Sequence, residues 1–221
     1  MLAKSNYPYD LNVQWAKPDV FLANASTNSQ SQISKSIISA PANSLSSSMQ
    51  DWLLHTGSLT ERLMSLCKQF DVQVLGQSNI PLNKSEISLL NAQDAQQWQV
   101  REVILYGDSV PWVFARSVLP EHMCNSTWAN LGSQPLGQRI FNDPRFVRSE
   151  FEIAPLQFHP VSKHPYSNNR PKRWARRSLF TYQDEHASNV TSSKHNKLIV
   201  AEAFLEDCPC YDEFVQNASS A

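Results

Sequence analysis

The chain has 221 residues, of which 41% are hydrophobic and 18% are charged, and its formal net charge is −1. This length suffices for one domain with a sizeable core. The balanced charge excludes a global attraction to nucleic acids. We therefore expect no nucleic-acid partner. Because no window approaches the roughly 18 consecutive apolar residues that span a bilayer, we also expect no stable membrane insertion.

Residues 1–46 are predicted to form a polar, loosely ordered N-terminal extension. This segment is rich in Ser, Asn and Gln, and such a composition buries too little apolar area to offset the entropy of ordering. We expect its aromatic residues, Tyr7, Tyr9, Trp15 and Phe21, to dock on the folded domain. Its first residues lack an apolar stretch of signal-peptide length, so we expect a cytoplasmic protein.

The four cysteines are too scattered for a disulfide scaffold, and we interpret them as reduced thiols. Cys208-Pro-Cys210 lacks a second ligand pair at metal spacing, so we predict no metal site, and a metal or redox role is the weaker alternative. The five glycines form no phosphate-binding loop or dinucleotide fingerprint.

Hydrophobic periodicity predicts the elements in chain order. Ser58 with Glu61 three residues later is the pattern of a helix-capping box. Helices are predicted at 49–54, 58–67, 125–131 and 135–141, a helical turn within 84–98, and strands at 98–107, 111–120, 145–153, 174–183 and 196–207. Long strands with hairpin-type links and helices grouped in two regions predict an α+β fold with an antiparallel sheet.

The hairpin REVILYGDSVPWVFARSVLP carries one arginine on each apolar arm, Arg101 and Arg116. With the turn centred on Asp108-Ser109, Arg101 faces Arg116, and both share a face with Val103. Two such cations about 5 Å apart repel by roughly 3 kcal/mol at an effective dielectric near 20. An anionic ligand held by both arginines would offset this repulsion.

The hairpin also has simpler interpretations. The two arginines can extend to water or pair with Glu102, Glu150 or Glu152. A shift of one residue in the turn would also separate them.

The last predicted strand contains a single glutamate, Glu202, in the apolar run KLIVAEAFL. Both faces of this strand are apolar, so we expect it to be central and buried. A lone buried carboxylate is costly unless it is bonded. Glu202 is therefore expected either to pair with a hairpin arginine or to bind a ligand hydroxyl.

Five segments of the sequence resemble segments of one enzyme family, and they occur in the same order and with similar spacing. They are DWLLHTGSLTERL, REVILYGDSVPWVFARSVLP, LGSQPLGQRIF, RWARRSLF and AEAFL. On these motifs, from about residue 51 to residue 211, the chain resembles the chorismate pyruvate-lyases of ubiquinone biosynthesis.

This resemblance implies a single antiparallel β-sheet with helices packed on one side, enclosing an internal ligand cavity. The lyase-like domain would span 47–213, followed by a tail at 214–221. The implied reaction cleaves chorismate to 4-hydroxybenzoate and pyruvate without metal or organic cofactor. We expect a monomer, because no exposed apolar helix stands out, with this substrate and product as its partners.

The resemblance also implies the site residues. Arg101 would bind the ring carboxylate and Glu202 the hydroxyl at the other end of the ring, and both are expected to be catalytic. Backbone groups of Leu59 and Leu136 would complete the substrate-binding set, with Leu59 standing where the family often has methionine. Arg116 is assigned to the enolpyruvyl carboxylate.

The basic stretch RPKRWARRS is interpreted as a solvated loop entering a strand, with its alternate arginines paired to the acidic face of 145–153. A nucleic-acid or anionic-lipid patch is the weaker alternative.

Two rival functions stay open. One is the effector-binding domain of a bacterial regulator, which would need a helix-turn-helix domain that residues 1–46 are too polar to provide. The other is a non-catalytic module of the same fold that binds a phenolic acid without turnover.

Overall fold

The computed structural model describes residues 11–22, 45–92, 97–125, 136–156, 173–183 and 196–211. These residues form an α+β fold with one antiparallel seven-stranded sheet of order β1-β2-β3-β7-β6-β4, in which β5 also pairs with β6. The strands are β1 (Phe70–Ser78), β2 (Trp98–Gly107), β3 (Val110–Pro120), β4 (Phe146–Arg148), β5 (Glu152–Leu156), β6 (Arg173–Tyr182) and β7 (Lys197–Phe204). The helices are α1 (Ser47–Leu53), α2 (Leu59–Met64), α3 (Lys84–Leu90), α4 (Glu121–Asn125) and α5 (Leu136–Phe141). The predicted fold class is confirmed.

Four helices pack on one side of the sheet, which we call the front face and which carries Arg101 and Glu202. The Ser58 hydroxyl caps α2 by accepting from the Glu61 N–H at 3.3 Å. Helices α1 and α2 bury apolar side chains against β2, β3 and β7, and α4 and α5 form a second apolar cluster with β3, β6 and β7. The front face therefore carries two apolar clusters.

The opposite side, the back face, is covered by α3 and by residues 11–15. Leu90 of α3 packs on Val118 and Ile199, and Leu11 packs on Ile104 and Phe114. Helix α3 is a full two-turn helix rather than the predicted single turn, because Asn83 and Glu86 form a reciprocal capping box. The fold thus has one helix on the face opposite the other four among the described residues.

The β2–β3 hairpin has a register that differs from the predicted one. Asp108 and Ser109 form the turn with φ of 49° and 68°, as in two-residue hairpin turns. Tyr106 pairs with Pro111, but Leu105 pairs with Val113, so Trp112 is an extra residue in β3. Beyond this bulge, each β2 residue pairs with the β3 residue one position later than predicted. The β3 side chains beyond the bulge therefore lie on the face opposite to the predicted one.

The bulge makes the predicted pairing of Arg101 with Arg116 wrong. Arg101 lies opposite Ser117, and Arg116 lies opposite Glu102. Since paired residues project to the same side of a sheet, Arg101 is on the front face and Arg116 is on the back face.

Two other details differ from the predicted elements. Strand β1 was not predicted, and the single strand predicted at 145–153 is interrupted between β4 and β5. The helix predicted at 125–131 lies, apart from its first residue, outside the described residues. The central position predicted for the last strand is confirmed, because β7 lies between β3 and β6.

The N-terminal extension docks through two of its aromatic residues. Trp15 packs with the back-face cluster, and the Phe21 ring lies edge-on to Trp174 at 5.2 Å between centroids. Tyr7 and Tyr9 lie outside the described residues. The boundaries 1–46, 47–213 and 214–221, and the internal cavity, stay predictions.

Candidate active site

Arg101 lies on the front face and is only 3% exposed. Its Nη1 donates to Oε1 of Gln77 at 3.2 Å. Burial lowers the pKa of this guanidinium from its ordinary value. The neighbouring Cys124 thiol has a pKa raised to about 11 by burial and by Glu121, with Arg101 acting in the opposite direction. This part of the front face therefore offers a desolvated cation beside a neutral thiol.

Glu202 lies on the same front face, two strands away from Arg101. Across the sheet, Arg101 is aligned with Ser117 of β3 and Val200 of β7. Glu202 pairs with Ala115 and is therefore two residues along β7 from this row. By strand spacing and rise, the Cα atoms of Arg101 and Glu202 are about 12 Å apart. Long side chains at these positions can reach the two ends of one small ring-shaped ligand.

Glu202 is held by an arginine of the neighbouring strand. Its Oε2 accepts from Nε of Arg176 at 2.6 Å. Nη1 of Arg176 in turn donates to the carbonyl oxygens of Trp52 and His55, at 3.0 and 3.1 Å. Of the two interpretations of Glu202, a pair with a hairpin arginine is wrong, because β6 and not the β2–β3 hairpin supplies its arginine partner, and a ligand hydroxyl stays a prediction.

A second front-face arginine, Arg148 of β4, lies close to this pair. Its guanidinium packs on the ring of Phe151 at 4.4 Å from the centroid and donates to the Thr56 carbonyl at 2.9 Å. Burial and the charge of Arg176 lower its pKa, whereas Glu202 acts in the opposite direction. Both arginines therefore bind carbonyls of the turn between α1 and α2.

Leu59 and Leu136, the two backbone contacts implied by the family resemblance, are the first residues of α2 and α5. Both are buried, and the two helices touch there, since a Cβ on Gly137 would lie 3.5 Å from the Thr60 hydroxyl. The first N–H groups of a helix lack intrahelical partners. The structure thus brings two such helix starts together on the front side.

Arg116 lies outside this arrangement. Its Nε donates to Glu86 at 2.7 Å and its Nη1 to Glu102 at 2.8 Å. Burial alone would lower the pKa of Arg116, but these two carboxylates raise it overall. The simpler interpretation, a pair with Glu102, is confirmed, and a ligand contact for Arg116 stays a prediction that the back-face position does not support.

The basic stretch is buried rather than solvated in its described part. Arg173, Arg176 and Arg177 are all at most 6% exposed. The predicted pairing with the acidic face of 145–153 is confirmed for Arg177, which donates to Glu152 at 2.7 Å. Each of these three guanidiniums is paired with a carboxylate of the same chain, that of Glu206, Glu202 or Glu152, rather than presented to solvent.

An open pocket of about 600 Å³ lies beside the α1–α2 turn. Two cations, Lys17 and Arg148, and two carboxylates, Asp19 and Glu150, line it together with Phe151 and other residues. Its charged side chains balance, so it lacks the positive excess that a dianion requires. Among the described residues, no group of His, Cys, Asp and Glu side chains is arranged to hold a metal ion.

Comparison with known sequences identifies the family of this chain. A sequence profile described as chorismate lyase matches residues 36–215. This chain belongs to the chorismate lyase family. Within the described residues, no helix is long and apolar enough to cross a membrane.

Individual members of the chorismate lyase family match over most of their length. A protein named probable chorismate pyruvate-lyase from Pseudoalteromonas atlantica is 40% identical over 168 residues, which cover 74% of this chain and 82% of that protein. A protein of the same name from Shewanella loihica is 30% identical over 218 residues, covering 92% and 93%. Among solved structures, the effector domain of PhnF from Mycobacterium smegmatis matches 67% of this chain and 88% of that chain with 13% identity and a TM-score of 0.42, values too low to bear on function.

Sequence reasoning missed two residues of the site, Arg176 and Arg148. Alternation along β6 places Arg176 on the same face as Trp174 and Ser178, which is a signal that one arginine of the basic stretch points inward. The partner, however, depends on β6 lying next to β7 in the sheet, and strand order is not visible in the local pattern.

Proposed function

We propose that this protein cleaves chorismate to 4-hydroxybenzoate and pyruvate. The observation that carries the proposal is the placement of Arg101 and Glu202 on one covered face of the sheet, in a chain of the chorismate lyase family. A guanidinium binds a carboxylate through a planar fork. Arg101 would anchor the ring carboxylate, and Glu202 would accept a hydrogen bond from the hydroxyl at the far end of the ring.

In this reaction the main task of the protein is to orient the substrate. The ether bond between the ring and the enolpyruvyl oxygen breaks, and the adjacent hydroxyl-bearing carbon loses its proton, so that the ring becomes aromatic. The departing enol takes up a proton at its methylene carbon and becomes pyruvate. Because aromatisation drives the step, holding the reactive conformer in a dry site supplies the main acceleration.

The front-face residues suit these tasks. Arg101 is desolvated, which strengthens its attraction for a carboxylate. Backbone N–H groups at the starts of α2 and α5, at Leu59 and Leu136, would add hydrogen bonds to the ligand. Glu202, bonded to the hydroxyl in this pose, would lie near the carbon that loses its proton, so it would either orient the hydroxyl or receive that proton.

The pathway and setting belong to the same proposal. We infer a role in ubiquinone biosynthesis, a cytoplasmic location, a monomeric state and a reaction that needs neither metal nor organic cofactor. The pathway and the cofactor-free reaction rest on the family resemblance, and the location and the monomeric state rest on the sequence features described above.

The decisive experiment is incubation of the purified protein with chorismate, with ultraviolet detection of 4-hydroxybenzoate. Arg101→Ala should abolish turnover while leaving the fold intact, because the ring carboxylate loses its anchor. Arg145→Ala is the matched control, since Arg145 pairs locally with Asp143 at a partly exposed site. Near-normal turnover by Arg101→Ala would refute the assignment.

A second variant separates the two roles of Glu202. If the carboxylate only orients the hydroxyl, Glu202→Gln should keep much of the binding of 4-hydroxybenzoate and a measurable rate, because an amide oxygen still accepts a hydrogen bond. Loss of turnover with intact binding would indicate that Glu202 receives the proton. Binding of 4-hydroxybenzoate by the wild-type protein with no release of pyruvate would favour a non-catalytic binding module.

A further inference from the structure

Arg176 connects the sheet to the α1–α2 turn. It is 1% exposed, the lowest value among the buried arginines. One side of its guanidinium reaches the Glu202 carboxylate, and Nη1 reaches three carbonyl oxygens at the end of α1 and in the turn, those of Trp52, Leu53 and His55. A single rigid group therefore holds both partners.

The ion pair leaves one oxygen of Glu202 available. Oε2 accepts from Arg176 at 2.6 Å, whereas Oε1 makes no hydrogen bond to the described residues. The Glu202 side chain is 17% exposed and that of Arg176 is 2% exposed. The carboxylate thus lies between a buried anchor and a more open side, with a free acceptor.

The turn that Arg176 binds leads directly into α2. Ser58 caps that helix and Leu59 is its first residue. Because a guanidinium is planar, the positions of its Nε and Nη1 partners are fixed relative to each other. A displacement of the turn would therefore move Glu202, and a displacement of Glu202 would move the turn.

We propose that Arg176 is a positioning residue of the lyase reaction, one that orients the Glu202 carboxylate toward the ligand hydroxyl and sets its distance from the start of α2. This inference rests on the proposed function. The Nε and Nη1 groups of Arg176 are engaged by Glu202 and by the carbonyls of α1 and the turn, so the proposed effect passes through these two partners. Misplacement of a catalytic group by about 1 Å can lower a rate by roughly 100-fold.

The neighbouring Arg177 supplies a matched control. It is also buried, at 6% exposure, and its Nε also binds a carboxylate, that of Glu152, at 2.7 Å. It lies on the back face, since β6 side chains alternate. Arg177→Met therefore removes a comparable ion pair without touching Glu202.

The test is a double-mutant cycle on chorismate turnover with Arg176→Met, Glu202→Gln and the double variant. Each rate is measured well below the unfolding temperature of that variant and corrected for the folded fraction. We expect Arg176→Met to lower kcat/KM roughly 10- to 100-fold, and to lower it at least several-fold less in the Glu202→Gln background, because its effect passes through that carboxylate. Arg177→Met should lower stability with a smaller effect on kcat/KM.

Arg176→Lys provides a second measurement in case Arg176→Met does not fold. Lysine keeps the cation but cannot bind the carboxylate and the carbonyls with one planar group, so part of the activity should return. The same loss in kcat/KM from changing Arg176 in both backgrounds, or no loss at all, would overturn the inference while the lyase function stands. Absence of turnover by the wild-type protein would instead refute the proposed function itself.

Discussion

The two hairpin arginines, Arg101 and Arg116, are both buried, yet their surroundings differ in kind. Burial lowers the pKa of Arg101, beside an amide and a thiol. Two carboxylates raise the pKa of Arg116. The two carboxylates that neutralise Arg116 make it part of the scaffold, whereas Arg101 lies on the front face beside Gln77 and is the arginine proposed to bind the ligand.

Removal of Arg116 should therefore lower stability strongly. Arg116→Met leaves Glu86 buried at 5% exposure without its cation, and breaking one partner of a buried pair costs about 3–5 kcal/mol. Urea unfolding followed by circular dichroism measures this loss. A free energy of unfolding within about 1 kcal/mol of that of the wild-type protein would contradict the internal role.

At the scale of the element, the bulge at Trp112 decides which arginine faces the site. Trp112 is buried on the front side with Val103 and Leu105, and its ring lies directly over Gly107. Gly107 is the last residue of β2, and a side chain there would overlap the indole ring. The absence of a side chain at Gly107 thus gives Trp112 its place in the hairpin.

This contact predicts different effects on stability for two glycine substitutions. Gly107→Ala should destabilise the protein by about 1–3 kcal/mol, because the added carbon must displace a rigid buried ring. Gly76→Ala is the control, since nothing lies within 4 Å of a Cβ at Gly76, and it should be neutral or slightly stabilising. Thermal unfolding of both variants checks the difference, and equal unfolding temperatures would refute the packing described for Trp112.

At the scale of the whole molecule, the proposed site lies between two layers. Strands β2, β3 and β7 form its floor, and the starts of α2 and α5 stand over the front face. A ligand held between these layers would add contacts across both, so binding should be coupled to global stability.

Ligand binding should accordingly raise the unfolding temperature. At a 4-hydroxybenzoate concentration about 100 times its Kd, the native state gains about 2.7 kcal/mol, which corresponds to roughly 5–10 °C for a chain of this size. Differential scanning fluorimetry measures the shift, and Arg101→Ala should remove most of it. A full shift in Arg101→Ala would mean that the product binds elsewhere.

Local pattern alone predicted much of this protein. The capped start of α2 follows from the local pattern of Ser58 and Glu61. The α+β class, the central position of β7 and the inward placement of Arg101 and Glu202 follow from periodicity, which is also a property of neighbouring residues. The family could be recognised from five motifs in order, because the motifs are contiguous.

Only the tertiary structure decided the partners. The extra residue at Trp112 places Arg116 on the back face. The alternation of apolar residues along one strand does not reveal such a shift, because it is the same whichever residues of the next strand it pairs with. The pairing of Arg176 with Glu202 depends on β6 lying beside β7, and the placement of α3 on the back depends on which face the other helices leave open. These choices are made by the summed packing of distant segments, so no stretch of the sequence contains them.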